Sequence, residues 1–380
     1  MKPQLVSRIE IPVDDSSHYS PSVQWSPDSQ RLSSTVNDVV MVWDAPENIL
    51  VQALPGSWFR LGWSPSGSRC LVEGQSTWAV LDGFTFLPVS EFQPGHGSAG
   101  GKWSPDGSML AARGYEDVTV WDPESGSAIA RFEHTSEYVD EWKSFQWSPL
   151  SGQVATSGGF PSRKSVIVWD LVTGSRAHEF EAKSRTWGWS PDAEWFCLND
   201  DRRDEIRIIE SETGQVRKLI AETKIYEWHP DGSCLMTTHP RDFIGFRFPE
   251  SGETFQVLES MSSARFSPDG TTVSAVTANT SSMDREILLI DFFSETKRGD
   301  VVQCRLPAGI GSGEYKWCPA GGFITTWDFE TLSIWETHEG ERVLEIAKGD
   351  SPTKPLHYWS PNGRFLAISL RGEIQVWQLS

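Results

Sequence analysis

Trp103-Ser104-Pro105-Asp106-Gly107 is the stretch that decides the fold, because close copies of it recur along the whole chain. The copies begin at Trp25, Trp63, Trp103, Trp147, Trp189, Trp228, Phe266, Trp317 and Trp359, nine in all. Successive spacings are 38, 40, 44, 42, 39, 38, 51 and 42 residues. A period in this range marks a repeat architecture, in which each unit buries its apolar face against its neighbours. The five residues themselves read as a tight hairpin turn and the residue leading into it. The aromatic closes a strand, proline fixes its own φ at the second turn position, and glycine takes the positive φ that other residues resist.

The residues after each turn are also repetitive. A short apolar run comes first, as in Cys70-Leu-Val72 or Phe365-Leu-Ala-Ile368, then a polar loop, then an alternating strand. That strand often ends in Trp and an acid: Trp43-Asp44, Trp121-Asp122, Trp169-Asp170 and Trp335-Glu336. A second turn comes next, as in Pro123-Glu-Ser-Gly126, Leu171-Val-Thr-Gly174 or Ser211-Glu-Thr-Gly214, and a last strand such as Gln215–Ile220 or Arg342–Ile346 closes the unit. Alternating runs bounded by turn residues read as strands, so each repeat is expected to hold four.

Strand, Ser-Pro-Asp-Gly turn, strand, loop, strand ending Trp-Asp, Thr-Gly turn and strand together resemble the WD40 repeat of β-propellers. The resemblance covers essentially the whole chain. It departs in one respect. The Gly-His that opens the family's repeat is present only as Gly95-His96 and, without its glycine, as His134. The family's His–Ser–Asp–Trp network is therefore mostly absent, with Asp117 and Trp121 as its best remnant. The stress on Trp-Ser-Pro-Asp-Gly also resembles the repeats of TolB-type propellers. The expected fold class is all-β: a single closed β-propeller of nine four-stranded blades over residues 1–380.

Length and ends fit that expectation. A single ordinary core stops growing at roughly 250–300 residues, whereas a propeller adds interfaces instead. Nine blades exceed the usual ~4–8. A smaller ring with extra repeats and a pair of small propellers are the other arrangements; the 51-residue spacing after Phe266 is the one place for a break. Its excess falls at Ala278–Arg285 and Phe292–Gly299 and reads as two enlarged loops. The ninth repeat stops at its third strand, Glu373-Ile-Gln-Val-Trp377, and an unassigned strand, Gln4–Ile11, precedes the first anchor. Pairing the two completes the last blade and leaves no open sheet edge.

The formal charge is −19, which argues against nucleic acid or an anionic membrane as the main partner and is compatible with a basic one. The five cysteines, Cys70, Cys197, Cys234, Cys304 and Cys318, include no Cys-x-x-Cys pair and predict reduced thiols in a cytoplasmic protein. The first residues hold no apolar signal core, and no apolar run approaches the ~18 residues that cross a bilayer.

Function is expected in the loops between second and third strands and between successive repeats, which vary in length, rather than in the uniform turns. Of 19 tryptophans, the anchors and Trp43, Trp121, Trp169, Trp335 and Trp377 are assigned to packing between blades. Trp58 and Trp142 each stand five residues before an anchor, on the loop side. Aromatic residues with arginine dominate binding hot spots, so the candidate partner-binding patch is Trp58, Tyr115, Tyr138, Trp142, Phe160, Arg163, Arg202 and Arg203. The alternative role for these side chains is to cap blade edges.

Chemistry-bearing motifs are weak. Gly95-His-Gly-Ser-Ala-Gly100 matches the dinucleotide-binding glycine pattern but leads into a strand rather than a helix. Asp200, Asp201, Asp204 and Glu205 are interrupted by Arg202 and Arg203, which predicts a self-neutralised, solvated loop rather than a cation site. His229 and His239 are expected at opposite ends of their repeat. No metal pairing, nucleophile elbow or cofactor motif is present. The expected role is a non-catalytic protein–protein interaction scaffold with no cofactor and no metal. The alternative is an enzyme or small-ligand binder, of hydrolase or lyase type, using the axial channel. Converging carboxylates with perturbed pKa values would favour that alternative.

Overall fold

The computed structural model describes residues 3–11, 23–36, 38–95, 99–114, 117–133, 145–160, 163–181, 186–200, 203, 205–221, 224–239, 243–277, 286–292, 302–307, 315–327, 330–347 and 356–379. They form nine four-stranded antiparallel sheets. Each sheet is a blade, numbered here by its anchor. Two compact units divide the chain: Met1–Val89 with Ser267–Ser380, and Ser90–Phe266.

Blade 3, in the second unit, shows how the repeat folds. Its strands are Ala99–Trp103, Leu110–Arg113, Asp117–Trp121 and Ala128–Glu133, hydrogen-bonded in that order. Ser104 N–H donates to Met109 O and Gly107 N–H to Ser104 O, each at 2.9 Å, with Gly107 at φ 74°. Asp106 caps the turn: it accepts from Ser104 Oγ at 2.6 Å and from Ser108 N–H at 3.0 Å. Ser104 Oγ in turn accepts Met109 N–H at 2.9 Å. The third strand is buried along its whole length, while the fourth alternates mostly outward and forms the edge. That gradient is what a sheet flanked on both faces by other sheets requires.

Blade 4 has strands Phe145–Trp147, Gln153–Phe160, Arg163–Asp170 and Ser175–Glu181; blade 5 has Trp187–Trp189, Trp195–Asp200, Glu205–Glu210 and Val216–Ala221. Neighbouring blades lock through two devices. The third-strand tryptophan stacks on a phenylalanine from the last strand of the blade before: Trp169 on Phe132, ring centres 4.9 Å apart at 19°. Such a pair adds ~0.5–1.5 kcal/mol beyond the area it buries. The anchor indole donates backwards to a carbonyl of the previous blade's first strand, as Trp147 Nε1 does to Lys102 O at 3.1 Å. The packing role read from the sequence for Trp121 and Trp169 is what the structure has; both are buried, at 4% and 5% exposure.

In the first unit the N-terminal strand Gln4–Glu10 pairs antiparallel with Glu373–Gln378, from Gln4 opposite Gln378 to Glu10 opposite Glu373. It is thus the outermost strand of blade 9, whose other strands are Leu356–Trp359 and Phe365–Leu370. Ile9 and Ile11 are buried in one cluster with Trp25 and Phe365. Trp25 Nε1 donates to Tyr358 O at 2.9 Å, joining blade 1 to blade 9 by the same backward bond as in the second unit. The two enlarged loops expected after Phe266 lie outside the described residues; the strands beside them, Thr272–Thr277, Glu286–Asp291 and Val302–Pro307, belong to blade 7.

Candidate functional site at the loop ends of the blades

Each blade has a turn end, where both tight turns lie, and a loop end. At several loop ends the structure repeats one arrangement: a buried carboxylate holding an arginine that reaches solvent. In blade 3, Asp117, 5% exposed, engages Arg131 Nε, and the Arg131 side chain is two-thirds exposed. In blade 5, Asp200 engages Arg207 Nη2 and lies 3.8 Å from Arg203 Nε. Glu205 Oε1 is 3.4 Å from Arg207 Nε and 3.7 Å from Arg203 Nη1, so two acids and two arginines form one network. In blade 2, within the first unit, Glu73 lies 3.8 Å from Arg60 Nε.

Strand register creates these pairs. Asp117 opens the third strand of blade 3 and Arg131 stands on the fourth, two rows along, opposite Thr119. Asp200 ends the second strand of blade 5 and pairs with Glu205 across the hairpin. Both acids occupy positions where the alternation points inward. A buried carboxylate deprived of its cation leaves an uncompensated charge, which costs ~3–5 kcal/mol. The acids therefore fix the arginine stems, while guanidinium edges remain free to meet a carboxylate or carbonyl of another molecule.

The sequence-derived patch is only partly visible. Tyr115, Tyr138, Trp142 and Arg202 lie outside the described residues. Phe160 and Arg163 face each other across the loop-end hairpin of blade 4 in backbone register. Arg203 is exposed and belongs to the Asp200–Glu205 network. Trp58 is half-buried at the start of strand Trp58–Trp63 and packs on the cluster of Leu61, Val72 and Ala79. Its ring fills space left by Gly74, where a Cβ would come within 3.1 Å of it.

Of the blade 5 loop, Asp200 and Glu205 pair with Arg203 and with Arg207 of the following strand, and Asp200 is buried rather than solvated; Asp201, Arg202 and Asp204 lie outside the described residues. Asp117 takes Arg131 as its partner, and Trp121 stacks on Phe92. The Gly95–Gly100 pattern leads into strand Ala99–Trp103. His229 lies at the turn end of blade 6, bonded to Asp231, and His239 at the loop end, stacked on Phe243. All five cysteines are free thiols, and burial pushes Cys70 and Cys234 up to about 12. Glu227, on the first strand of blade 6, has its carboxyl raised by burial, an effect opposed by Phe266 N–H and the Arg265 charge. Its Oε2 accepts Phe266 N–H at 3.1 Å, which makes it a structural link. Among the described residues no group of three or more His, Cys, Asp or Glu side chains is placed to hold a metal, and no helix is long and apolar enough to cross a membrane.

Sequence reasoning missed Arg60–Glu73, Arg131–Asp117 and Arg207–Asp200. The available signal was an acid at the end of an inward-facing apolar run: Glu73 after Cys70-Leu-Val72, Asp200 after Phe196-Cys-Leu198.

No family model matches the chain. The WD repeat-containing protein slp1 of Schizosaccharomyces pombe is 28% identical over 185 residues, 47% of this chain and 37% of that protein. A subunit of eukaryotic translation initiation factor 3 from Drosophila pseudoobscura pseudoobscura is 21% identical over 299 residues, 70% of this chain and 42% of that protein. The matches thus span about two fifths of the length of these curated relatives. A solved structure described as that of the eukaryotic initiation factor superposes with a TM-score of 0.69 at 14% identity, covering 89% of this chain and 90% of that one. That likeness shows the fold, an all-β propeller with nine blades of four strands, the last completed by the N-terminal strand. With its repeated Trp-Ser-Pro-Asp-Gly turns, its propeller fold and its likeness to a WD-repeat protein, the chain resembles the WD40-repeat β-propellers.

Proposed function

We propose that the chain is a scaffold for protein partners, which dock at the loop ends of its blades. One observation carries this reading: the recurrent exposed arginine anchored on a buried acid, at Arg131, Arg203 and Arg60. Pre-set guanidinium groups lose little freedom when a partner arrives, and arginine is enriched among the residues that dominate interfaces. The resemblance to a WD-repeat protein and to a subunit of an initiation factor supports the same reading. The free thiols support a reducing compartment such as the cytoplasm.

The test is quantitative capture of partners by Arg131→Gln with Arg203→Gln in the full chain. Glutamine keeps the stem and a donor for the buried acid but removes the charge. Partners held by the intact protein should fall several-fold while the melting curve stays cooperative. An unchanged partner profile would sink the loop-end reading.

A further inference from the structure

In the four blades of the second unit, two turn positions carry an acid in every blade but one. The third residue after the anchor aromatic is Asp106, Leu150, Asp192 and Asp231 in blades 3 to 6. The second residue of the Thr-Gly or Ser-Gly turn is Glu124, Val172, Glu212 and Glu250. Blade 4 has exchanged both acids for aliphatics, and both stand in solvent: Leu150 is 76% and Val172 92% exposed.

The two tips are neighbours. Leu171 N–H donates to Gly152 O at 3.1 Å, so the turns bearing Val172 and Leu150 are joined side by side. Carboxylates flank them on both sides. Asp106 N–H donates to Ser151 Oγ at 3.1 Å, which seats the blade 3 turn beside Leu150. His178 Nε2 lies 3.2 Å from Ser211 O, which seats the Glu212 turn of blade 5 against blade 4. Asp170 stands at the base of the Val172 turn, its carboxylate accepting from Thr173 N–H.

The exchange brings no packing gain and forfeits a local bond. Asp106 and Asp192 accept a hydrogen bond from the turn serine, whereas Leu150 has no group that can. A position that breaks a local rule without compensation inside the fold points outward, to contact with something else.

We propose that the turn end of blade 4 docks a short basic, apolar segment of a partner protein, whose aliphatic side chains cover Leu150 and Val172 while its Lys or Arg side chains meet Asp106, Asp170 and Glu212. Charge complementarity selects this occupant. Apolar surface alone would accept many chains, but the surrounding carboxylates repel acidic ones and attract basic ones. Burial acts to raise the Asp106 carboxyl, but hydrogen bonds from Ser104, Ser108 and Ser151 bring it down to about 2, so its charge persists under all ordinary conditions. The site is at the opposite end of the blades from the arginine–acid pairs and does not depend on the loop-end reading.

The test uses fluorescence anisotropy on the full chain with a short labelled peptide of interspersed leucine and lysine. Leu150→Asp with Val172→Glu installs the side chains of the sister blades, so the turns keep a known folding solution. The intact chain should bind the peptide, and this variant should lose at least about tenfold in affinity, roughly 1.4 kcal/mol. Leu150→Ser with Val172→Ser, which leaves the charge unchanged, should lose about as much. If attraction were merely between net charges, the Asp/Glu variant would bind more tightly. Tighter or unchanged binding by either variant, or equal binding of a peptide with serine in place of leucine, would overturn the proposal, as would no binding by the intact chain.

Discussion

After Trp103 blade 3 continues Ser-Pro-Asp-Gly, and after Trp147 blade 4 continues Ser-Pro-Leu-Ser. Both chains turn the same way. Gly107 N–H reaches Ser104 O and Ser151 N–H reaches Ser148 O, each at 2.9 Å, and the fifth residue is left-handed in both, at φ 74° and 61°. Only the cap differs. Asp106 ties its turn to Ser104 and Ser108, whereas Ser148 Oγ meets Leu150 N–H at 3.4 Å. Proline and one short backbone bond therefore suffice to reverse the strand. The aspartate refines the turn and its position is available for other uses. Serine bears a left-handed strain that glycine would not.

If the two blades share one construction, their packing must respond alike. Trp121→Ala and Trp169→Ala should each destabilise by ~3–5 kcal/mol in urea denaturation, because each ring is buried against a phenylalanine of the preceding blade. A difference between them of more than about 2 kcal/mol would mean that the two blades are not built alike.

A smaller effect is expected at the turn serine. Ser104 Oγ donates to Asp106 and accepts Met109 N–H, so Ser104→Ala should cost about 1 kcal/mol more than Ser148→Ala in the same measurement. Equal costs would show that the aspartate cap contributes nothing to the turn.

The smallest expected effect, and the most direct probe of the missing cap, is Leu150→Asp: a gain of about 0.5–1 kcal/mol at neutral pH if serine-to-aspartate bonding is restored. The pH dependence of such a cap has a fixed sign. The folded pKa of Asp106 is depressed from 3.8 to about 2, so its contribution is complete above pH 3.8 and is lost as pH falls through about 2. The intact chain should therefore lose more stability than Asp106→Asn between those limits. Acid melting curves that run parallel would refute the cap's ionic character.

The turns were legible in the sequence because their chemistry is local: Pro105, Asp106 and Gly107 dictate φ and capping within a few residues. The closure of blade 9 was legible by counting, since a three-stranded last repeat and a spare N-terminal strand complement each other. Strand limits shifted by a residue; the last strand of blade 5 is Val216–Ala221 rather than Gln215–Ile220. The pairing of Arg203 with its neighbouring acids was legible, but the pairs Asp117–Arg131 and Asp200–Arg207 were not. Asp117 and Arg131 meet only through a register that slips by one between Val120 and Trp121, and no local rule announces that bulge. The outward display of Leu150 and Val172 emerges only when blade 4 is set against its neighbours.

Arg8 and Glu373, side by side in blade 9, are 365 residues apart in the chain. At ribosomal speeds of ~5–20 residues per second, strand Gln4–Glu10 waits roughly 20–70 seconds for its partner to be made. Throughout that interval Ile9 has no sheet to enter and must avoid other nascent chains. The strand that completes blade 9 thus leaves the ribosome long before the strands it joins, and a chaperone able to shelter it would govern the yield of folded protein.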